Sequence, residues 1–239
     1  RETGTQLLAQ AKAGKPRFCQ SCHADPAVGM KGHPQRLTLS ASIHGWHAHY
    51  MPLTGAAACA SCHPATPKGR TKCLRGVHAS RGITCVQCHG TLQEHAASLL
   101  LAERHKPSAK RLLARLNLTR PLESMRPRQP WVNQPDCLSC HKNFSRPKKT
   151  ASSVNLWVGG LEQLFRMRRD GAGLRCEACH GAPHAIYPAT NPYEKHRDNH
   201  QPWQFSGQPG PVGAKRSCKA CHTAKMGASI HHPNMGRRR

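Results

Sequence analysis

Cysteine pairs followed at once by histidine recur along this chain. Cys19, Cys22 and His23 have the spacing CxxCH, and it returns at Cys59/Cys62/His63, Cys85/Cys88/His89, Cys137/Cys140/His141, Cys176/Cys179/His180 and Cys218/Cys221/His222. With 13 Cys and 18 His in 239 residues, roughly 0.05 copies would arise by chance, so six copies mark a repeated binding unit. Two thiols three positions apart can add across the two vinyl groups of one haem, and the next His then falls under the iron as its proximal ligand. Zinc would take two CxxC pairs for one four-thiolate site, and a thioredoxin-like redox pair needs CxxC alone. Neither asks for a His directly after the second Cys, and all six copies have one. The expectation is six c-type haems, held by twelve thioether cysteines and six proximal histidines.

The motifs and some of their flanks resemble the multihaem c-type cytochromes. CHG at Cys88 to Gly90, CHGAPH at Cys179 to His184 and SIHG at Ser42 to Gly45 carry the likeness, which covers scattered positions only. The resemblance implies a second His on the far side of most irons, and hence low-spin, low-potential centres that pass electrons.

Twelve His remain beyond the six proximal ones: His33, His44, His47, His49, His78, His95, His105, His184, His196, His200, His231 and His232. Six are needed for full bis-His ligation, so about half of the spare ones sit at the surface or against propionates. His78, seven residues before Cys85, His44 in SIHG and His184 in CHGAPH lie where such cytochromes often place distal ligands. His95, six residues beyond His89, projects from a helical stretch. His231, His232, His47 and His33 complete the distal candidates. Methionine also ligates haem iron and raises its potential, but the surplus of His makes that route unnecessary.

The elements that must position these residues are short. Hydrophobic residues are 37% of the chain and aromatics 5%, against 20 Gly and 19 Pro, too little for a self-sufficient apolar core. Haem must supply the missing core. The expected fold is mostly irregular, with short α-helices wrapped around a chain of six covalently bound haems and little or no β-sheet. Leu7, Leu8 and Ala11 predict a helix over Gln6 to Ala13, with Thr5 as N-cap and Gly14 and Pro16 as a stop. Ala96, Leu99 and Leu100 predict another over Glu94 to His105, broken by Pro107. A third runs over Ser108 to Leu118 with Leu112, Leu113 and Leu116 inward and Lys110, Arg111 and Arg115 outward. Leu161, Leu164 and Phe165 predict a short helix within Gly160 to Arg169, closed by Gly171. The His-rich stretch from Ala24 to Ala58 reads as a ligand-bearing loop, and Gly181 to Pro211 as another haem-wrapping loop.

Four prolines at 121, 127, 130 and 135 make 119–135 an irregular connector. It is the expected hinge between an N-terminal three-haem half, 1–118, and a C-terminal one, 136–239, unless the chain is one continuous haem-wrapping domain. Successive first cysteines are 40, 26, 52, 39 and 42 residues apart, so haems two and three are expected to form a close pair. Cys73, left over from the motifs, reads as a buried structural thiol, with a bond to another chain or to iron as the alternatives.

The net charge is +25 before cofactors. Propionates and iron bring it to roughly +19 oxidised and roughly +13 reduced, which calls for an acidic partner, surface or polymer. No DNA-binding motif or aromatic-interleaved basic groove points to nucleic acid, and no apolar run approaches the roughly 20 residues of a membrane span. Because haem attachment in this family occurs outside the cytoplasm, the expected location is extracellular or cell-surface, with the periplasm as alternative. The start at Arg1 fits a secreted chain after removal of its signal peptide. The leading functional expectation is a conduit that moves electrons without bond chemistry, and so not an enzyme. Within that class the chain resembles the cytochromes that polymerise into extracellular filaments, with other copies of itself as head-to-tail partners and further cytochromes or extracellular acceptors beyond them. The alternatives are a soluble periplasmic shuttle, a small redox subunit of a larger enzyme, and a multihaem reductase, which would need one iron with an open distal position.

Overall fold

The structure is a computed structural model that describes residues 6–15, 17–63, 74, 77–142, 155–176 and 222–223. The described residues form eight short α-helices joined by turns and irregular chain. They contain no β-strand, only isolated bridges such as Asp25 with Met30 and Pro135 with Trp157. That matches the expected class of fold. The chain divides into two units, one of Arg1–Tyr50 with His95–Trp131, the other of Met51–Glu94 with Val132–Arg239.

In the first unit, α1 (Leu7–Lys12) has no buried residue, and its Leu7 and Leu8 face solvent. The stretch expected to be a His-rich loop instead contains the longest described helix, α2 (Leu39–Tyr50). Gly45 hid it from sequence reasoning, since glycine disfavours a helix interior by about 1 kcal/mol. Here a Cβ at Gly45 would stand 3.2 Å from methyl carbons of Leu100 and Leu112, so the missing side chain is what allows α2 to pack closely. Across from it lie α6 (Leu92–Ala102), which continues out of this unit at its N-terminus, and α7 (Pro107–Leu113). Leu37, Ala41, Leu99, Leu100 and Ala109 form the core, with Leu112, Leu113 and Leu116 packed on it. The expected inward leucines are therefore the ones that pack, and Lys110, Arg111 and Arg115 face outward as expected.

A buried ion pair holds the start of α2. The Glu103 carboxylate accepts from Lys106 Nζ at 2.7 Å, from Thr38 N and from Thr38 Oγ1. Lys106 Nζ also donates to Arg36 O at 2.6 Å. Thr38 in turn caps the helix, its Oγ1 accepting from Ala41 N. The Pro-rich connector is irregular apart from one 3₁₀ turn at Leu122–Ser124. It is fastened to α6 where Arg128 N donates to Ser98 O and Ser98 Oγ to Arg126 O.

The second unit holds α3 (Gly55–Ala60), α4 (Val77–Ser80), α5 (Cys85–His89) and α8 (Cys137–Cys140). After α5 the chain turns at Gly90, φ +77°, where a Cβ would stand 2.7 Å from Glu94 Oε2. Thr91 and Glu94 then cap the next helix reciprocally, N–H to carboxylate at 2.8 Å and N–H to hydroxyl at 3.2 Å. The helix expected within Gly160 to Arg169 is instead two 3₁₀ turns, Leu161–Gln163 and Phe165–Met167. Leu164 between them is extended and fully buried while Leu161 is exposed. One apolar anchor, not an apolar face, sets this segment.

Candidate functional site

The described motifs share one local geometry. The backbone N–H of His23 donates to Cys19 O at 2.9 Å, that of His63 to Cys59 O at 2.8 Å, and that of His141 to Cys137 O at 2.8 Å. The third motif is the same turn inside a helix, since α5 runs from Cys85 to His89. Such a turn puts positions i, i+3 and i+4 on one side, so both thiols and the His of each motif face the same volume.

Polar caps start the third and fourth of these turns. Gln87 accepts from Thr84 N at 2.9 Å ahead of Cys85. Asp136 accepts from Leu138 N at 3.1 Å ahead of Cys137, and is itself paired with Arg168 at 3.2 Å. At the first motif Gly32, φ +57°, lies so close to the His23–Ala24 backbone that a Cβ would stand 2.2 Å from Ala24 N. His33 N then donates to Cys22 O at 2.8 Å.

Ring hydrogen bonds decide which nitrogen each His offers. Carbonyl oxygens only accept, so His23, His44 and His47 carry the proton on Nδ1, donating to Leu37 O at 2.7 Å, Ser40 O at 2.8 Å and Ile43 O at 2.8 Å. Each therefore presents the Nε2 lone pair, the usual arrangement in a metal-bound imidazole. His33 is the opposite case, with Nδ1 accepting from Gln35 N at 3.2 Å. His49, which sequence reasoning counted as spare without ranking it, has a buried Nε2 with no hydrogen bond. An orphaned buried nitrogen of this kind costs about 1–3 kcal/mol, and no spacing signal could have singled it out.

The thiols are available. None of the nine described cysteines is in a disulfide. Helices α3 and α5 pack together, which brings the second and third motifs side by side. Cys59 and Cys85 interact directly: the hydrogen bond from Cys59 lowers the Cys85 thiol to about 7, and the same bond, with burial, pushes Cys59 up. Burial also raises Cys88.

At the second motif the two thiols differ in exposure. Cys62 is exposed and so is His63, whereas Cys59 is half-buried. The reason is the end of α3 at Ala60: Cys59 lies within the helix that packs on α5, and Cys62 falls in the turn beyond it, its N–H donating to Cys59 O at 3.2 Å. Cys19 and Cys137 are likewise exposed, while Cys22, Cys140 and Cys176 are half-buried. The structure thus gives the second motif one thiol packed against Cys85 and one, Cys62, open to solvent.

Among the described residues, histidines outside the motifs meet other histidine rings in two places. His44 and His95 meet edge to face in the first unit with ring centroids 4.7 Å apart, and Arg128 Nη1 lies 3.5 Å from His95 Nε2. In the second unit His78 approaches a motif histidine, His141, with centroids 6.1 Å apart. Among the described residues, no three of His, Cys, Asp and Glu converge on a bare metal ion. Comparison with known proteins brought no match, whether to a family model, a curated protein or a solved structure.

These residues fit a haem. A porphyrin brings four nitrogens of its own and asks the protein for axial ligands and two thiols, which the shared turn offers with His23 oriented by Leu37. An exposed thiol such as Cys62 is open to the vinyl group it would attack. Large apolar side chains stand uncovered, Phe18 next to Cys19 in sequence at 83% exposure and Trp46 on α2 at 54%. Cys73, Cys179, His180, His184, Cys218, Cys221, His231 and His232 lie outside the described residues, as does the loop expected at 181–211. Of the sixth motif only His222 is described, and it is half-buried.

Proposed function

We propose that this chain is an electron-transfer protein carrying six c-type haems, one on each CxxCH motif. The observation that carries the reading is the turn shared by the first four motifs, which sets two unbridged thiols and a histidine on one side. Haem, once bound, supplies the ferric–ferrous couple.

The chain's own residues bind, orient and space the groups. The cysteines tether, and the Leu37 carbonyl holds His23 with Nε2 presented. The caps at Thr84 and Asp136 fix where two of the turns begin. Packing of α3 on α5 keeps the second and third tethers together, and electron passage depends on that closeness. Uncovered apolar side chains such as Leu8 and Trp46 favour contact with a haem or with another copy, since a monomer rarely leaves large apolar surface open.

The same reading extends to assembly. Copies join head to tail as an extracellular cytochrome filament, a heterologous contact that does not close on itself. Basic residues of one copy meet propionates of the next, which offsets repulsion between chains of +25 before cofactors. Among the described residues no helix is long and apolar enough to cross a membrane.

Intact-mass measurement of the secreted protein tests the central claim, with six haem masses expected and a haem-free or zinc-loaded chain overturning it. Electron microscopy of the same material tests the assembly. Monomers alone at physiological salt, with six fully ligated haems, would leave a soluble shuttle. A substantial high-spin ferric signal in intact material would point instead to a reductase with an open iron.

A further inference from the structure

His78 stands at the second position of α4, 63 residues before His141 in the sequence. In space their rings are neighbours, with centroids 6.1 Å apart and planes inclined at 47°. Two imidazoles on opposite sides of one iron, each nitrogen about 2 Å from the metal, have centroids roughly 6 Å apart. The His44 and His95 rings, at 4.7 Å and edge to face, are too close to admit an iron between them.

Both rings are half-buried, His78 on α4 and His141 at the end of α8. The chain after α4 folds straight back, Arg81 N and Ile83 N donating to His78 O at 3.1 and 3.0 Å. That turn leads directly to the Thr84 cap of α5. His141 follows α8, its N–H bonded to Cys137 O and its helix started by Asp136.

We propose that His78 is the distal ligand of the fourth haem, trans to His141, and not of the third haem whose motif it precedes. The proposal rests on reading the motifs as haem sites. Its consequence is a cross-tie: the segment leading into the third motif closes the coordination of the fourth iron, so the third and fourth haems are held as neighbours. His78 supplies a nitrogen lone pair and His141 another. With haem bound, these two nitrogens would hold the iron, and no bond of the chain would break.

The test uses the full-length haem-loaded protein. In His78→Ala all six haems should remain attached, because the thioethers are untouched, while one sixth of the ferric haem turns from low-spin to high-spin by electron paramagnetic resonance. In His78→Met the spectrum should stay low-spin and one of six potentials should rise, a readout that survives if the Ala variant folds poorly. The fourth site is singled out by Cys137→Ala/Cys140→Ala, which should carry five haems, and adding His78→Ala to it should produce no new high-spin signal. An unchanged low-spin spectrum in His78→Ala, or a high-spin signal that persists in the five-haem background, overturns the pairing. A wild-type chain without haem overturns the proposed function instead.

Discussion

Replacing Glu103 by Ala tests whether α2, which carries three of the spare histidines, is held by the buried ion pair at its start. Glu103 and Lys106 are only 8% and 9% exposed, and the carboxylate takes hydrogen bonds from Lys106 Nζ, Thr38 N and Thr38 Oγ1. Removing the carboxylate leaves a buried ammonium with Arg36 O as its remaining bonded oxygen in this network, and breaking such a pair costs about 3–5 kcal/mol. At 1.4 kcal/mol per tenfold, opening of α2 should become about 10²- to 4 × 10³-fold more frequent. Hydrogen exchange of the α2 amides reads this directly, without requiring the whole chain to unfold in two states. The double variant Glu103→Met/Lys106→Met should recover part of the loss, because no unpaired charge remains and two straight apolar chains fill the volume. Unchanged α2 exchange in Glu103→Ala would refute the reasoning. So would a double variant at least as damaged as the single one.

In the haem-free chain, Cys85 should be the first described thiol to alkylate. Its rate should rise as pH climbs through about 7, because deprotonation makes the nucleophile, while Cys59, pushed up, lags; mass mapping of labelled peptides against pH checks the order. Leu100→Ala, at a fully buried position of the first unit's core, should cost about 2–5 kcal/mol, whereas Arg115→Ala on the exposed face should stay within about 0.5 kcal/mol, both measured by denaturant titration. Asp136→Ala removes the cap of α8 and the partner of Arg168 and should cost about 1 kcal/mol, seen as faster exchange at Leu138 and its neighbours.

The CxxCH spacing names the expected tethers and proximal histidines by number, and each of the first four motifs does fold as the single turn that this spacing suits. What spacing does not tell is how far each tether is enclosed: Cys59 and Cys62 belong to one motif, yet the end of α3 between them leaves the first half-buried and the second exposed. The helices of the first unit were also legible where leucine periodicity is strong, at Leu99, Leu100, Leu112 and Leu113. Periodicity failed where packing overrules propensity: α2 contains Gly45 at its closest approach to Leu100 and Leu112, so its signature reads as loop until the neighbouring helices are in place. It failed again at Leu164, whose burial belongs to a bend and not to a helix face. The short link from Cys59 to Cys85 pointed to a close pair, and α3 does pack on α5.

The surroundings of the spare histidines were not legible. Spacing along the chain says nothing about which carbonyl fixes a ring's proton, and that is what separates His44 and His47 from His33. Nor does spacing place His78 beside His141, 63 residues later in the sequence, because that neighbourhood is made by the turn after α4 and the cap of α8. The sequence by itself determined what can be attached and where, since covalent chemistry needs only local spacing. Tertiary structure alone decided which distant rings become neighbours, such as His78 and His141, because residues from separate segments must converge on one point in space.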